Sequence, residues 1–134
     1  MGLAIRTQDI DGVLEISFVD AKILDKARIQ QIGYELMKAA EANGWRVFLN
    51  FAGVQFMSSA MTGKLVYLHK RIKQHCSGAP LVMCNLPPNI HEFYVLIRLH
   101  KVFTIKDSVE AALALFPPPP APLIWSRRIT IVYA

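Results

Sequence analysis

Acid, cysteine and unbroken apolar length are all scarce in this sequence. There are two cysteines in 134 residues, Cys76 and Cys84. That is too few for a disulfide scaffold, and neither pairs with another Cys or His at zinc-finger spacing. Both are read as small apolar core residues. Charged residues are only 19% of the chain, but 53% is hydrophobic. That balance excludes general disorder. The longest uncharged apolar stretch, residues 111–125, carries five prolines and is too short to span a bilayer. The opening MGLAIRTQDIDG lacks a basic segment followed by a long apolar one, so it is not read as a signal peptide. The expectation is a soluble, cytoplasmic chain with no membrane partner.

The catalytic motifs are missing too. Gly53 to Ser59 is not a nucleophile elbow, and Gly63-Lys64 lacks the upstream glycines of a P-loop. The four histidines, His69, His75, His91 and His100, sit in no nucleophile or metal motif. Neither an enzyme, a metal site nor a cofactor is expected. Basic residues exceed acidic ones by 15 to 10. No helix-turn-helix pair, aromatic RNA-binding motif or zinc knuckle turns that excess into nucleic-acid recognition, so no nucleic-acid partner is expected. A small nucleotide-binding protein remains a third functional class, open to titration with labelled GTP or ATP.

What is present has a clear order. Leu3, Ile5 and Thr7, then Val13 to Val19, read as two strands joined by a turn at Asp11-Gly12. Residues 20–26 read as a polar loop. Ile29, Ile32, Leu36, Ala39 and Ala40 recur at helical spacing, which predicts a helix from Lys26 to Asn43. Val47 to Phe51 is a compact buried strand. Met61, Leu65, Leu68, Ile72 and Cys76 line one face of a second helix, 60–76. Residues 79–84 make another strand. A third helix follows Pro88 to about Leu99, with Ile90, Phe93, Tyr94, Ile97 and His100 expected inward. Val102 to Ile105 is a strand, and 108–116 a last helix capped by Asp107 or Ser108. The fold class is α/β: one domain with a mixed β-sheet, an opening hairpin followed by β-α units, covered by about four helices.

Pro117 to Pro120 ends the domain, because no helix or central strand continues through four prolines. The division expected is 1–116 for the domain and 117–134 for a proline-rich linker and an apolar, basic arm. Two readings of the arm stand side by side. It docks on the domain or on a second copy, giving a homodimer through 117–134, or it is an unstructured terminus or cloning extension.

The stretch Phe51-Ala52-Gly53-Val54-Gln55-Phe56-Met57-Ser58-Ser59-Ala60-Met61-Thr62-Gly63 follows a buried strand and opens a helix. It resembles the signature of STAS domains, the fold of anti-sigma factor antagonists and of the cytoplasmic tails of sulfate transporters. In that family a strand leads into a pattern like L-S-G-V-x-F-[ML]-D-S-S-G-L. Asp11-Gly12-Val13-Leu14, Cys84-Asn85-Leu86, and Leu99, Phe103 and Ser108 to Leu113 resemble the family's opening, middle and closing segments. The resemblance thus runs across residues 3–116. It departs from the pattern where Ser58 takes the place of an Asp, Ala60 of a second serine and Met61 of a glycine.

The resemblance implies a protein that binds a serine kinase acting as an anti-sigma factor, and so releases a transcription factor. Phosphorylation of a serine would end that binding. Ser59 falls on the phosphoacceptor position and Ser58 is second choice. The partner-binding face would be Phe56, Met57, Ser58, Ser59, Thr62 and Lys64. On residue chemistry alone, Ser58 or Ser59 simply caps the helix. The basic side chains Lys64, Lys70, Arg71 and Lys73 either meet an acidic partner or form a solvated face. The alternative function is a STAS scaffold, never phosphorylated, in a multi-protein sensor or transporter-associated complex.

Overall fold

The computed structural model describes residues 3–116. A five-stranded sheet has the order β1 (Ile5–Ile10), β2 (Val13–Phe18), β4 (Val47–Asn50), β6 (Val82–Cys84), β7 (Thr104–Lys106). β1 and β2 form an antiparallel hairpin. Asp11 and Gly12 both take positive φ, the geometry of a two-residue turn that matches strand twist. From β2 onward every pairing is parallel: β2 with β4, β4 with β6, and β6 with β7. The expected mixed sheet is thus present.

Two further strands escaped the sequence reading. β3 (Lys22–Ile23) lies inside the segment read as a loop, and pairs in parallel with β5 (Phe56–Met57). Each is two residues long, which leaves no room for a period-two pattern to show.

Four helices complete the domain: α1 (Lys26–Ala42), α2 (Ser59–His75), α3 (Pro88–Leu96) and α4 (Val109–Leu113). α1 and α2 cover one sheet face. Ile29, Ile32 and Leu36 meet Met61, Leu65 and Leu68 over Ile16, Leu49 and Met83, all buried. The other face carries a smaller cluster of Val13, Phe48, Val82 and Cys84 beneath Ala112 of α4.

The third helix departs from its expected packing. Only Ile90 and Tyr94 are buried, and Phe93 and Ile97 are exposed. The helix stops at Leu96, and Arg98 takes a left-handed conformation leading into a 3₁₀ turn at Leu99–Lys101. Ile97 therefore leaves the buried stripe that Ile90 and Tyr94 define one helical turn apart. His100 is half-buried in that turn. The last strand also begins later than expected, since Val102 is exposed and only Phe103 turns inward. The proposed arm, 117–134, lies outside the described residues.

Candidate functional site

The two short strands build the approach to α2. The Ala21 carbonyl accepts from the N–H groups of Gln55 (2.7 Å) and Phe56 (3.2 Å), and the Ile23 carbonyl accepts from Ser58 N–H at 3.0 Å. Ile23 is fully buried and anchors this ladder in the core. The backbone of Ser58 is thereby fixed in an extended conformation just before the helix. Its carbonyl accepts the first helical bonds, from Met61 (3.1 Å) and Thr62 (3.4 Å).

Ser58 and Ser59 separate sharply. Ser58 occupies the capping position, yet its side chain makes no capping bond. Its hydroxyl is buried without a hydrogen-bond partner. Ser59, the first residue of the helix, is exposed. The first turn of α2 has no acid and the last has Lys73 and His75. Unpaired N–H groups and the positive end of the helix dipole therefore lie beside Ser59, and the helix's own first turn carries no carboxylate to oppose an added anion.

Phe56, Met57 and Thr62 meet in one place. They share a cavity of about 150 Å³ with Asn89, Ile90, Phe93 and Tyr94. Thr62 is buried, with its Oγ1 3.0 Å from the Tyr94 hydroxyl. Burial raises the Tyr94 pKa, and the bond to Thr62 opposes that rise in part. Asn89 Nδ2 donates to the Gln55 carbonyl at 3.2 Å, tying α3 to the approach strand. Phe56 is 49% exposed and Phe93 42%, so both present ring surface at the rim. Lys22 Nζ lies 5.9 Å from the centre of the Phe56 ring.

Lys64 belongs elsewhere. Its Nζ donates to Gln30 Oε1 at 2.9 Å, and its stem lies on Gly33 of α1. A Cβ at Gly33 would come within 2.9 Å of the Lys64 Cδ, so the missing side chain makes room for that stem. Sequence reasoning missed Lys22, Leu24, Asn89 and Phe93. Leu24, 55% exposed, is the one readable signal: with Ile23 it makes an apolar pair in an otherwise polar segment. Spacing alone places Phe93 in the core, whereas it is 42% exposed.

His69 is buried, and its Nδ1 accepts from Leu81 N–H at 3.1 Å. Burial, then the charge of Lys73, lowers its pKa. His75 stacks on Trp45 at 4.5 Å between ring centres. Among the described residues no group of three His, Cys, Asp or Glu is placed to hold a metal ion. No helix among them is long and apolar enough to cross a membrane.

An α/β sheet with this strand order, and an exposed serine opening its second long helix, agrees with the motif resemblance. The STAS domain family model matches residues 4–112. The chain belongs to the STAS domain family. A STAS relative in Bordetella bronchiseptica, BtrV, is named as a candidate anti-sigma factor antagonist. It is 28% identical over 107 residues, which are 80% of this chain and 89% of that one. Among solved structures, an anti-sigma-factor antagonist (STAS) domain protein from Planctomyces limnophilus superposes with a TM-score of 0.71 at 27% identity. It covers 84% of this chain and 97% of its own. The anti-sigma factor antagonist SpoIIAA, in its unphosphorylated form, matches with a TM-score of 0.57 at 17% identity, over 83% of this chain and 94% of its own. That last likeness speaks for the STAS fold alone.

Proposed function

We propose that this STAS protein is a non-catalytic, anti-sigma factor antagonist-like switch in transcription control. It binds a serine kinase that doubles as an anti-sigma factor, and phosphorylation of Ser59 ends that binding. One observation carries the reading: Ser59 is exposed at the positive end of an acid-free helix start, while the neighbouring Ser58 hydroxyl is buried. A kinase reaches the first and not the second. Phe56 and Met57 form the adjoining contact surface, with exposed Leu24 and Phe93 extending it.

The switch follows from charge. Phosphorylation adds roughly −1.5 to −2 charges at neutral pH. At a helix start that charge is tolerated by the protein carrying it. Against a partner surface closed over apolar Phe56 and Met57, the same charge has to be desolvated, and the complex opens.

The test needs a serine kinase of the anti-sigma type, sought first among the neighbouring reading frames and otherwise by pull-down from native lysate. With ATP, phosphate should map to Ser59, survive in Ser58→Ala and disappear in Ser59→Ala. Ser59→Asp should weaken kinase binding at least tenfold. Modification of neither serine removes the switch. In that case the second reading stands, a STAS scaffold that is never phosphorylated. The departure that favours it is Ser58 itself, which stands where phosphorylatable members carry an Asp.

A further inference from the structure

An open groove lies near the start of the parallel strands, formed by the far end of α2, the starts of β4, β6 and β7, and the end of α4. It holds about 390 Å³ and is walled mainly by apolar groups: Trp45, Ile72, Cys76, Val82, Leu115 and Phe116 among them. Leu115 is 45% exposed there. That volume lies within the range of sites that enclose a ligand or an inserted segment.

The last described residue, Phe116, is itself a wall of the groove. Eighteen more residues follow it, and the first nine, 117–125, read Pro-Pro-Pro-Pro-Ala-Pro-Leu-Ile-Trp. None is charged. The two arginines of the arm, Arg127 and Arg128, come after them. We infer that residues 117–125 of the chain's own arm occupy this groove.

Three arguments select this occupant over a second copy or a free ligand. The chain leaves α4 at the groove wall, so docking closes no loop and the local concentration of the segment is very high. Proline runs hold an extended polyproline II form beforehand, so little chain entropy is lost on docking, and such runs settle on aromatic-lined grooves. Trp45 and Phe116 supply aromatic walls. Finally, the uncharged segment matches a mainly apolar lining, and the arm's first charges fall beyond it.

Cys76 makes the groove testable, since it lines the wall and is half-buried. A second thiol placed in the arm forms a disulfide with it only when the two Cα atoms come within about 7 Å. The full-length variants Pro118→Cys, Ala121→Cys and Leu123→Cys would each be treated with oxidised glutathione. The oxidant accepts the two electrons and two protons the thiols release. Val132→Cys, beyond the arginines, is the reference for chance encounter. The expected result is a disulfide to Cys76 within one chain, in at least one of the three. It should form at least tenfold faster than in Val132→Cys, and the product should run as a monomer and be mapped by mass. A bond found only between two chains overturns the inference and gives the groove to a second copy. So does a Cys76 that pairs with none of the three, or pairs equally fast with position 132.

Discussion

Ser58 and Asp25 hold the same position, one residue ahead of two helices of 17 residues each, and their side chains behave oppositely. Asp25 Oδ2 accepts from Arg28 N–H at 2.9 Å and caps α1. Ser58 caps nothing, and its hydroxyl is buried unpaired. Asp25→Ala should therefore cost about 1 kcal/mol, the usual value of a lost cap. Ser58→Ala removes an unsatisfied polar group, so the chain should be unchanged or slightly more stable. Urea unfolding of the two variants checks this. A loss of about 1 kcal/mol in Ser58→Ala would restore the simple capping reading of that serine. His69 supplies a pH prediction at the same scale. Its folded pKa lies below the ordinary 6.5 because burial disfavours the charged ring. Below 6.5 the unfolded chain takes up a proton that the folded chain does not. Stability should thus be full above that pH and fall as pH drops towards the folded pKa. His69→Gln keeps an acceptor for Leu81 N–H but does not titrate. The urea midpoint of the native chain should drop more steeply between pH 7 and pH 5 than that of the variant. Parallel slopes would place the titration elsewhere.

At the scale of elements, the β3–β5 ladder has two paired positions and yet sets where α2 begins. Ile23 holds it from below, fully buried, whereas its neighbour Leu24 points outward. Ile23→Ala should cost roughly 2–5 kcal/mol, as for other large-to-small core changes. Leu24→Ala should stay within about 0.5 kcal/mol, typical of surface sites, but weaken partner binding if the rim is the contact surface. Unfolding and binding measured on the same two variants separate these roles. A Leu24→Ala that binds normally would remove Leu24 from the interface. This ladder also marks the limit of what the residue pattern can say. α1 and α2 are legible because each repeats its apolar stripe over three turns or more, and β4 because the run Val47-Phe48-Leu49 flags a buried strand. A two-residue strand has no period, so β3 and β5 are not. α3 was misread in part because Phe93 and Ile97 fit a helical stripe. The helix ends at Leu96, and both Phe93 within it and Ile97 at its cap are exposed. The candidate site is half legible: the motif points to Ser58 and Ser59, but nothing in it separates a buried hydroxyl from an exposed one. Lys64 was grouped with them by proximity in sequence, although its ammonium turns to Gln30 on α1.

For the molecule as a whole, the sheet is covered unequally. One face lies under two helices of 17 residues, the other under the five residues of α4 and its flanks. Helices that short are marginal alone and depend on their packing. The cluster beneath α4 is also the smaller of the two, with five buried members. The side of the sheet under α4 should therefore open below the free energy of global unfolding. Cys84 reports on this. It is fully buried beneath α4, and burial, helped by Glu15 and Glu110, pushes its thiol up to about 11. At pH 8 the thiol is therefore both shielded and protonated in the closed form, and a small thiol reagent should reach it only through opening. Cys76, half-buried on the groove, should react first. Cys84 should follow more slowly, yet faster than global unfolding allows, with a rate nearly independent of urea at low concentration. An Ala112→Gly change, which weakens α4 by about 1 kcal/mol, should speed Cys84 labelling roughly fivefold. If Cys84 labelling instead follows global unfolding at every urea concentration, α4 and the sheet open as one unit, and the apparent inequality of the two faces carries no energetic weight.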